Sequence, residues 1–172
     1  MGTENISGGT PVKPYPLKIV IADSLPDSAA DLLRQMGWKV DARDRRSREK
    51  LLHDLKDADG LIVRSNTQVD AELLASAPQL KVIARAGTGV ENIDVGAASA
   101  RGILIINAPG ANSVSVAEHT CALMLASGRS IARADTAMKQ GQWTKKELVG
   151  IELRGKNLGL VGLGRVGQEA AF

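Results

Sequence analysis

From residue 17 onward the chain alternates between two patterns of apolar and polar positions. Short, mostly apolar segments, several of them rich in β-branched residues, predict strands over 17–22 (LKIVIA), 38–42 (WKVDA), 60–64 (GLIVR), 80–87 (LKVIARAG) and 103–107 (ILIIN). Between them apolar residues recur every three or four positions, which predicts helices over 25–37, 47–60, 69–78 and 94–102. The punctuation agrees: Ser47 stands at an N-cap position, Gly37 where the first helix stops and Pro78 where the third stops. Strands and helices alternating at this spacing argue for βαβ units and a parallel sheet. Strands that are apolar along their whole length belong to a sheet covered by helices on both faces. Residues 17–107 therefore read as one doubly wound α/β domain, large enough for its own core.

Past Pro109-Gly110 the pattern changes. Ser115 and Glu118 have the spacing of a capping box ahead of an apolar helical run. One long helix, or two broken near Gly128, is expected over 112–139, and a strand over 157–161 (NLGLV). The expected organisation is a disordered Gly/Pro/Ser/Thr-rich tail over 1–16, a first domain over 17–110, and linking helices with the start of a second α/β domain over 111–172. There is no internal sequence repeat.

Composition narrows the function. The 172 residues are 44% hydrophobic and 24% charged, as in a soluble globular protein, and only 2% aromatic, so the core is aliphatic. The net charge of +3 comes from scattered basic residues with no interleaved aromatics, which argues against nucleic-acid stacking. The densest basic run, 43–50, is mixed with acids and reads as a solvated loop and helix start. No run has the length of a membrane span and the N-terminus lacks an apolar signal region, so a cytoplasmic protein is the default expectation. The one cysteine, Cys121, lies in an apolar helical stretch and is expected to be buried and inert.

Three stretches carry candidate chemistry. Gly162-Leu163-Gly164-Arg165-Val166-Gly167 is a G-x-G-x-x-G that follows an apolar run and should open a helix. In that setting the first glycine permits a tight turn, the second admits a pyrophosphate and the third lets helix and strand pack. Only five residues follow Gly167, so the acidic residue that would hold the ribose hydroxyl is absent. The second stretch, Arg64-Ser65-Asn66-Thr67, ends the third strand, where open α/β sheets bind ligands. Taken alone, Arg64 reads as a surface ion-pair arginine. The third stretch, Ala84 to Asn92, ends the fourth strand and changes that reading. Gly87 and Gly89 flank Thr88, leaving N–H groups free to form an anion nest, and Arg85 adds a second positive charge. The competing reading is a tight strand–helix turn capped by Asn92 and Asp94. His53 and His119 read as structural, and no metal-ligand spacing is present.

The segments IADSL, GLIVRSNTQV, ARAGTGVENIDVGAASARGILIINAPGANSVSVAEHT, MKQGQW and LRGKNLGLVGLGRVGQE together resemble the D-isomer-specific 2-hydroxyacid dehydrogenases, nearest their phosphoglycerate dehydrogenase branch. The resemblance covers residues 17–172. It implies a flavodoxin-like substrate domain followed by the truncated start of a Rossmann NAD-binding domain. It also implies oxidation of 3-phosphoglycerate to 3-phosphohydroxypyruvate with NAD, at the entry to serine biosynthesis, by a cytosolic homo-oligomer. Carried over by position, Arg64, Ser65, Arg85, the backbone of Ala86 and Gly87, and more weakly Asn112, would face substrate. Thr88 would touch the cofactor near the nicotinamide, and Gly162, Gly164, Arg165, Val166 and Gly167 would hold its pyrophosphate. Lys145, just past the GQW tryptophan, sits where some members reach a neighbouring subunit's substrate phosphate. The family's catalytic Arg, Glu and His lie downstream of the matching residues, as does the segment completing the first domain. The resemblance thus implies a fragment or truncated product with no catalytic residue of its own, inactive alone, with NAD or NADP preference undecided. A dehydrogenase of another 2-hydroxy acid, of the glyoxylate or hydroxypyruvate type, and a non-catalytic binding or hetero-oligomer module are the alternatives.

Overall fold

The computed structural model describes residues 16–43 and 46–172. The tail expected over 1–16 lies, apart from Pro16, outside the described residues, as do Asp44 and Arg45 of the basic run. The chain divides into two compact units, up to Ala108 and from Pro109 onward.

The first unit alternates strictly: β1 (Lys18–Ile21), α1 (Asp27–Gln35), β2 (Lys39–Asp41), α2 (Arg48–Asp54), β3 (Gly60–Val63), α3 (Ala71–Ala75), β4 (Val82–Arg85), α4 (Val95–Ala100) and β5 (Leu104–Asn107). The five strands form one parallel sheet in the order β2-β1-β3-β4-β5. That is the flavodoxin-like order. Right-handed crossovers then put α1 on one face and α2, α3 and α4 on the other, because only the first connection runs toward β2.

Burial follows this division. One cluster joins Val20, Leu61, Val63 and Ile83 of the sheet to Leu51 of α2, Leu55 just past its end, and Leu73, Leu74 and Ala98 of α3 and α4. Leu55, Leu61, Leu73 and Leu74 are fully buried, each contributing about 2 kcal/mol of transfer free energy. Ile19, Ile21 and Ala30 are buried outside that cluster, where α1 covers the sheet. Leu104 and Ile106 of the edge strand β5 point to this second face and stay half exposed.

Local caps fix the helix starts. The Ser47 hydroxyl accepts from Lys50 N at 3.3 Å, Asp70 from Leu73 N at 2.9 Å and Asp94 from Ala97 N at 2.9 Å. Each satisfies an N–H that has no partner within its helix, for about 1 kcal/mol.

The second unit holds α5 (Ser113–Gly128), α6 (Ile131–Lys139), a single 3₁₀ turn (Lys145–Glu147) and α7 (Arg165–Ala171), with α5 and α7 packed together. The break expected near Gly128 is present, and Ser130 follows it in the left-handed region at φ 51°. Two expectations are corrected here. The capping box at Ser115 and Glu118 does not start α5, which begins two residues earlier behind Asn112 without a side-chain cap. A turn closed by Ser113 N–H on the Gly110 carbonyl, at 3.1 Å, curls the chain before Ser115 is reached. Residues 157–161 form no strand: among the described residues they pair with nothing, and Val161 is fully exposed. A strand exists only through a partner's hydrogen bonds, and an apolar run alone does not provide one.

Candidate functional site

The candidate residues of the first unit meet at the carboxyl ends of β3 and β4. Val63 and Arg85 are register partners, so Arg64 and Ala86 leave adjacent strand ends together. The loop after β3 is held from two sides. From the end of β1, buried Asp23 accepts Arg64 N–H at 2.5 Å and Thr67 N–H at 3.3 Å on Oδ2, and the Thr67 hydroxyl at 2.7 Å on Oδ1. From the loop after β4, the buried Asn92 amide donates to the Arg64 carbonyl at 2.8 Å and the Thr67 carbonyl at 2.6 Å. The main chain adds Val69 N–H to the Asn92 carbonyl at 2.8 Å. Asn92 is therefore a clamp on the β3 loop rather than a helix cap, and Asp94 alone caps α4.

Arg64 and Ser65 are exposed on this pinned loop, and the Arg64 guanidinium has no partner among the described residues. That removes the surface ion-pair reading. A planar fork with five free donors suits carboxylate or phosphate oxygens.

Arg85 behaves differently. Its side chain is 15% exposed and lies over Gly87, where a Cβ would overlap the guanidinium. Glu91 folds back over Gly89 in the same way, and its carboxylate comes within 4.0 Å of Arg85. The glycines thus make room for these two side chains. The free nest expected at Gly87 is corrected: its N–H donates to the Arg85 carbonyl at 2.8 Å, and Ala86 N–H donates to Val63 at 2.8 Å. Thr88 is exposed, and its carbonyl accepts from Asn107 Nδ2 at 2.6 Å.

In the second unit the glycine motif takes the geometry that its spacing implies. Gly162 has φ 96°, a conformation costly for any side chain. Gly164 is extended at the N-cap of α7, with nothing near its missing Cβ. Gly167 packs against the Gly162 carbonyl, into which a Cβ would run. No side chain caps α7, so the first N–H groups, from Arg165, Val166 and Gly167, face outward without a side-chain acceptor. Arg165 lies over Gly110, and Asn112 stands at the N-cap of α5. These features fit a pyrophosphate at the start of α7. Lys145 lies in the 3₁₀ turn beside Trp143, which is 77% exposed.

Other candidates fall away. His53 is exposed beside Asp54, and His119 is exposed on α5. Among the described residues no group of His, Cys, Asp and Glu is arranged to hold a metal, and no helix is long and apolar enough to cross a membrane. Cys121 is exposed, not buried. The second unit buries only Ser113 and Ala117 of α5, so a helix whose apolar residues are not gathered on one face leaves its thiol outside. Sequence reading gave Asp23 no role, included Thr67 only as the end of the second candidate stretch, and offered Asn92 only as a helix cap. The available signal was an acid immediately after β1, at the ligand-binding end of the sheet.

The D-isomer specific 2-hydroxyacid dehydrogenase catalytic domain matches residues 19–170. D-3-phosphoglycerate dehydrogenase from Archaeoglobus fulgidus is 48% identical over 155 residues, covering 90% of this chain. The chain spans 29% of that relative's length. A Thermus thermophilus protein of solved structure, TT0316, superposes with a TM-score of 0.83 at 35% identity, over 90% of this chain and 51% of its own. The NAD⁺-bound 3-phosphoglycerate dehydrogenase of Entamoeba histolytica superposes with a TM-score of 0.72 at 30% identity, over 91% of this chain and 50% of its own. The parallel order of the sheet, the pinned arginine loop and the glycine turn all lie within the matched span, and the chain belongs to the D-isomer specific 2-hydroxyacid dehydrogenases.

Proposed function

We propose that this chain supplies the substrate-recognition strand ends and the opening glycine turn of an NAD-dependent dehydrogenase that oxidises 3-phosphoglycerate to 3-phosphohydroxypyruvate. The observation carrying this is the pair of arginines, Arg64 and Arg85, on adjacent strand ends. 3-Phosphoglycerate bears a carboxylate and a phosphate, whereas glyoxylate or lactate bears a single anionic group. Two guanidinium forks match the first better than the second.

Arg64, unpartnered and exposed on its braced loop, receives one anionic group; Ser65 beside it offers a hydroxyl. Arg85 receives the other after parting from Glu91, a weak pair given its 4.0 Å separation and the exposure of the carboxylate. Thr88, exposed on the loop after β4, is read as the residue of this loop that contacts the cofactor. Gly162, Gly164, Arg165, Val166 and Gly167 hold the cofactor's pyrophosphate on the N–H groups of α7. Bound NAD supplies the hydride acceptor for the carbon bearing the 2-hydroxyl. Proton removal needs a base within hydrogen-bond reach of that hydroxyl, and Asp23 is committed to Arg64 and Thr67. The 172 residues are therefore expected to recognise ligand without turning it over, with homo-oligomeric assembly a property of the larger protein.

Calorimetric titration of the chain with 3-phosphoglycerate, D-lactate and glyoxylate tests the reading. It is supported if 3-phosphoglycerate binds at least about tenfold tighter, one extra charge-assisted contact's worth. Equal affinity for the three acids would transfer the assignment to another 2-hydroxy acid. A parallel NAD⁺ titration and an assay for reduced nicotinamide check the cofactor and the absence of turnover.

A further inference from the structure

The contacts of Asp23, Thr67 and Asn92 go beyond what keeps a loop folded. A main-chain turn would satisfy the loop's own donors and acceptors locally. Here the partners are 44 residues apart for Asp23 and Thr67 and 28 for Asn92 and Arg64, and they come from three different strand ends. Both polar ends of the Arg64 peptide segment are held: its N–H by a carboxylate, its carbonyl by an amide. The same two side chains hold Thr67 at both its N–H and its carbonyl. Between these fixed points only the side chains of Arg64, Ser65 and Asn66 are exposed. The buried carboxylate of Asp23 is spent on three donors, so it leaves the Arg64 guanidinium uncontested.

We propose that Asp23, Thr67 and Asn92 are positioning residues for anion recognition, a brace across three strand ends that sets Arg64 before ligand arrives. This rests on the reading of Arg64 as a substrate-binding residue. The binding energy of the fork is then not spent on ordering its loop, which is the benefit of preorganisation. Thr67 is the member to test, because it is only partly buried and its hydroxyl makes one defined bond. Thr67→Val keeps the shape and removes that bond; Thr67→Ser keeps the hydroxyl and trims a methyl.

The experiment titrates the full 172-residue chain and both variants with 3-phosphoglycerate by calorimetry, and records the thermal midpoint of each. The expected result is affinity about fivefold weaker in Thr67→Val, the size of one hydrogen bond's net effect, with Thr67→Ser within twofold of the unsubstituted chain. A Thr67→Val chain that binds as tightly as the unsubstituted one, with only its midpoint lowered, overturns the positioning role and leaves the substrate reading standing. An unsubstituted chain that fails to bind overturns the substrate reading and the brace's purpose with it. Arg64 amide exchange, faster in Thr67→Val and restored in Thr67→Ser, supports the brace in the unliganded chain; unchanged exchange counts against it.

Discussion

The Arg85 guanidinium faces the Glu91 carboxylate at 4.0 Å, the one largely sheltered, the other 80% exposed. This places an internal anion at the group proposed to receive an external one. Glu91→Gln removes the competitor while keeping a polar end of similar size. The expected outcome is anion affinity raised about two- to fivefold, with stability changed by less than about 0.5 kcal/mol, as for other surface pairs. Titration with 3-phosphoglycerate at low and high salt checks it. Weaker binding in the variant would mean that Glu91 orients Arg85 instead of masking it.

Arg64 tests the fork itself. Arg64→Lys keeps the charge and loses bidentate geometry, while Arg64→Ala loses both. Because the side chain is exposed and unpartnered, neither change should move the thermal midpoint by more than a degree or two. Binding of 3-phosphoglycerate should weaken by roughly tenfold in Lys and further in Ala. Equal affinity in both variants and the unsubstituted chain would remove Arg64 from the site.

Arg46 is the strongest electrostatic prediction for stability. Its side chain is 2% exposed and bonds Asp54 at 3.0 Å and Asp41 at 2.8 Å. Arg43 pairs with the same two carboxylates from the solvent side. Arg46→Met should destabilise the chain by about 3 kcal/mol, because it leaves two sheltered carboxylates with only one exposed partner. The hydrogen bond from Arg43, aided by the charge of Arg46, holds the Asp41 carboxyl below the usual range. Asp70 is lowered too, chiefly by the Leu73 N–H and then by Arg48. Groups with depressed native pKa values contribute stability that is full above the ordinary carboxylate pKa of about 4 and is lost as pH falls through the native value. Unfolding free energy should therefore be flat above about pH 5 and drop below pH 4, less steeply in Arg46→Met. Urea unfolding between pH 3 and 7 measures this, and a slope unchanged by the substitution would contradict it.

Gly167 separates cofactor binding from the first unit. A Cβ there would run into the Gly162 carbonyl. Gly167→Ala should push α7 away from the glycine turn and abolish measurable NAD⁺ binding, while 3-phosphoglycerate affinity stays within twofold. NAD⁺ binding that survives in Gly167→Ala would show that this contact is dispensable.

Features that depend on neighbours in sequence were legible from it. The strands β1, β3, β4 and β5 showed as largely apolar runs, and the Ser47 and Asp94 caps lie three residues from the N–H groups they accept. The glycine turn was readable for the same reason, since Gly162 and Gly167 meet within one motif. What failed depended on distant partners. Asp23 looks like any acid after a strand until Thr67 arrives from 44 residues away. The run at 157–161 has strand composition and no neighbour to pair with among the described residues. Cys121 sits on a helix whose apolar residues are spread around its axis, where periodicity cannot say which face is covered.

The position of β1 in the sheet has a consequence for how the chain is made. Of the described strands it is the earliest in the chain, yet it becomes an interior strand, flanked by β2 and β3. Its second edge stays open until Gly60–Val63 has been synthesised, some 40 residues and a few seconds later at ordinary translation rates. During that interval Ile19, Val20 and Ile21 form an unsatisfied apolar strand on the nascent chain. Slow codons or a ribosome pause between residues 22 and 60 should therefore lower the yield of folded protein, whereas a pause beyond β5 should not.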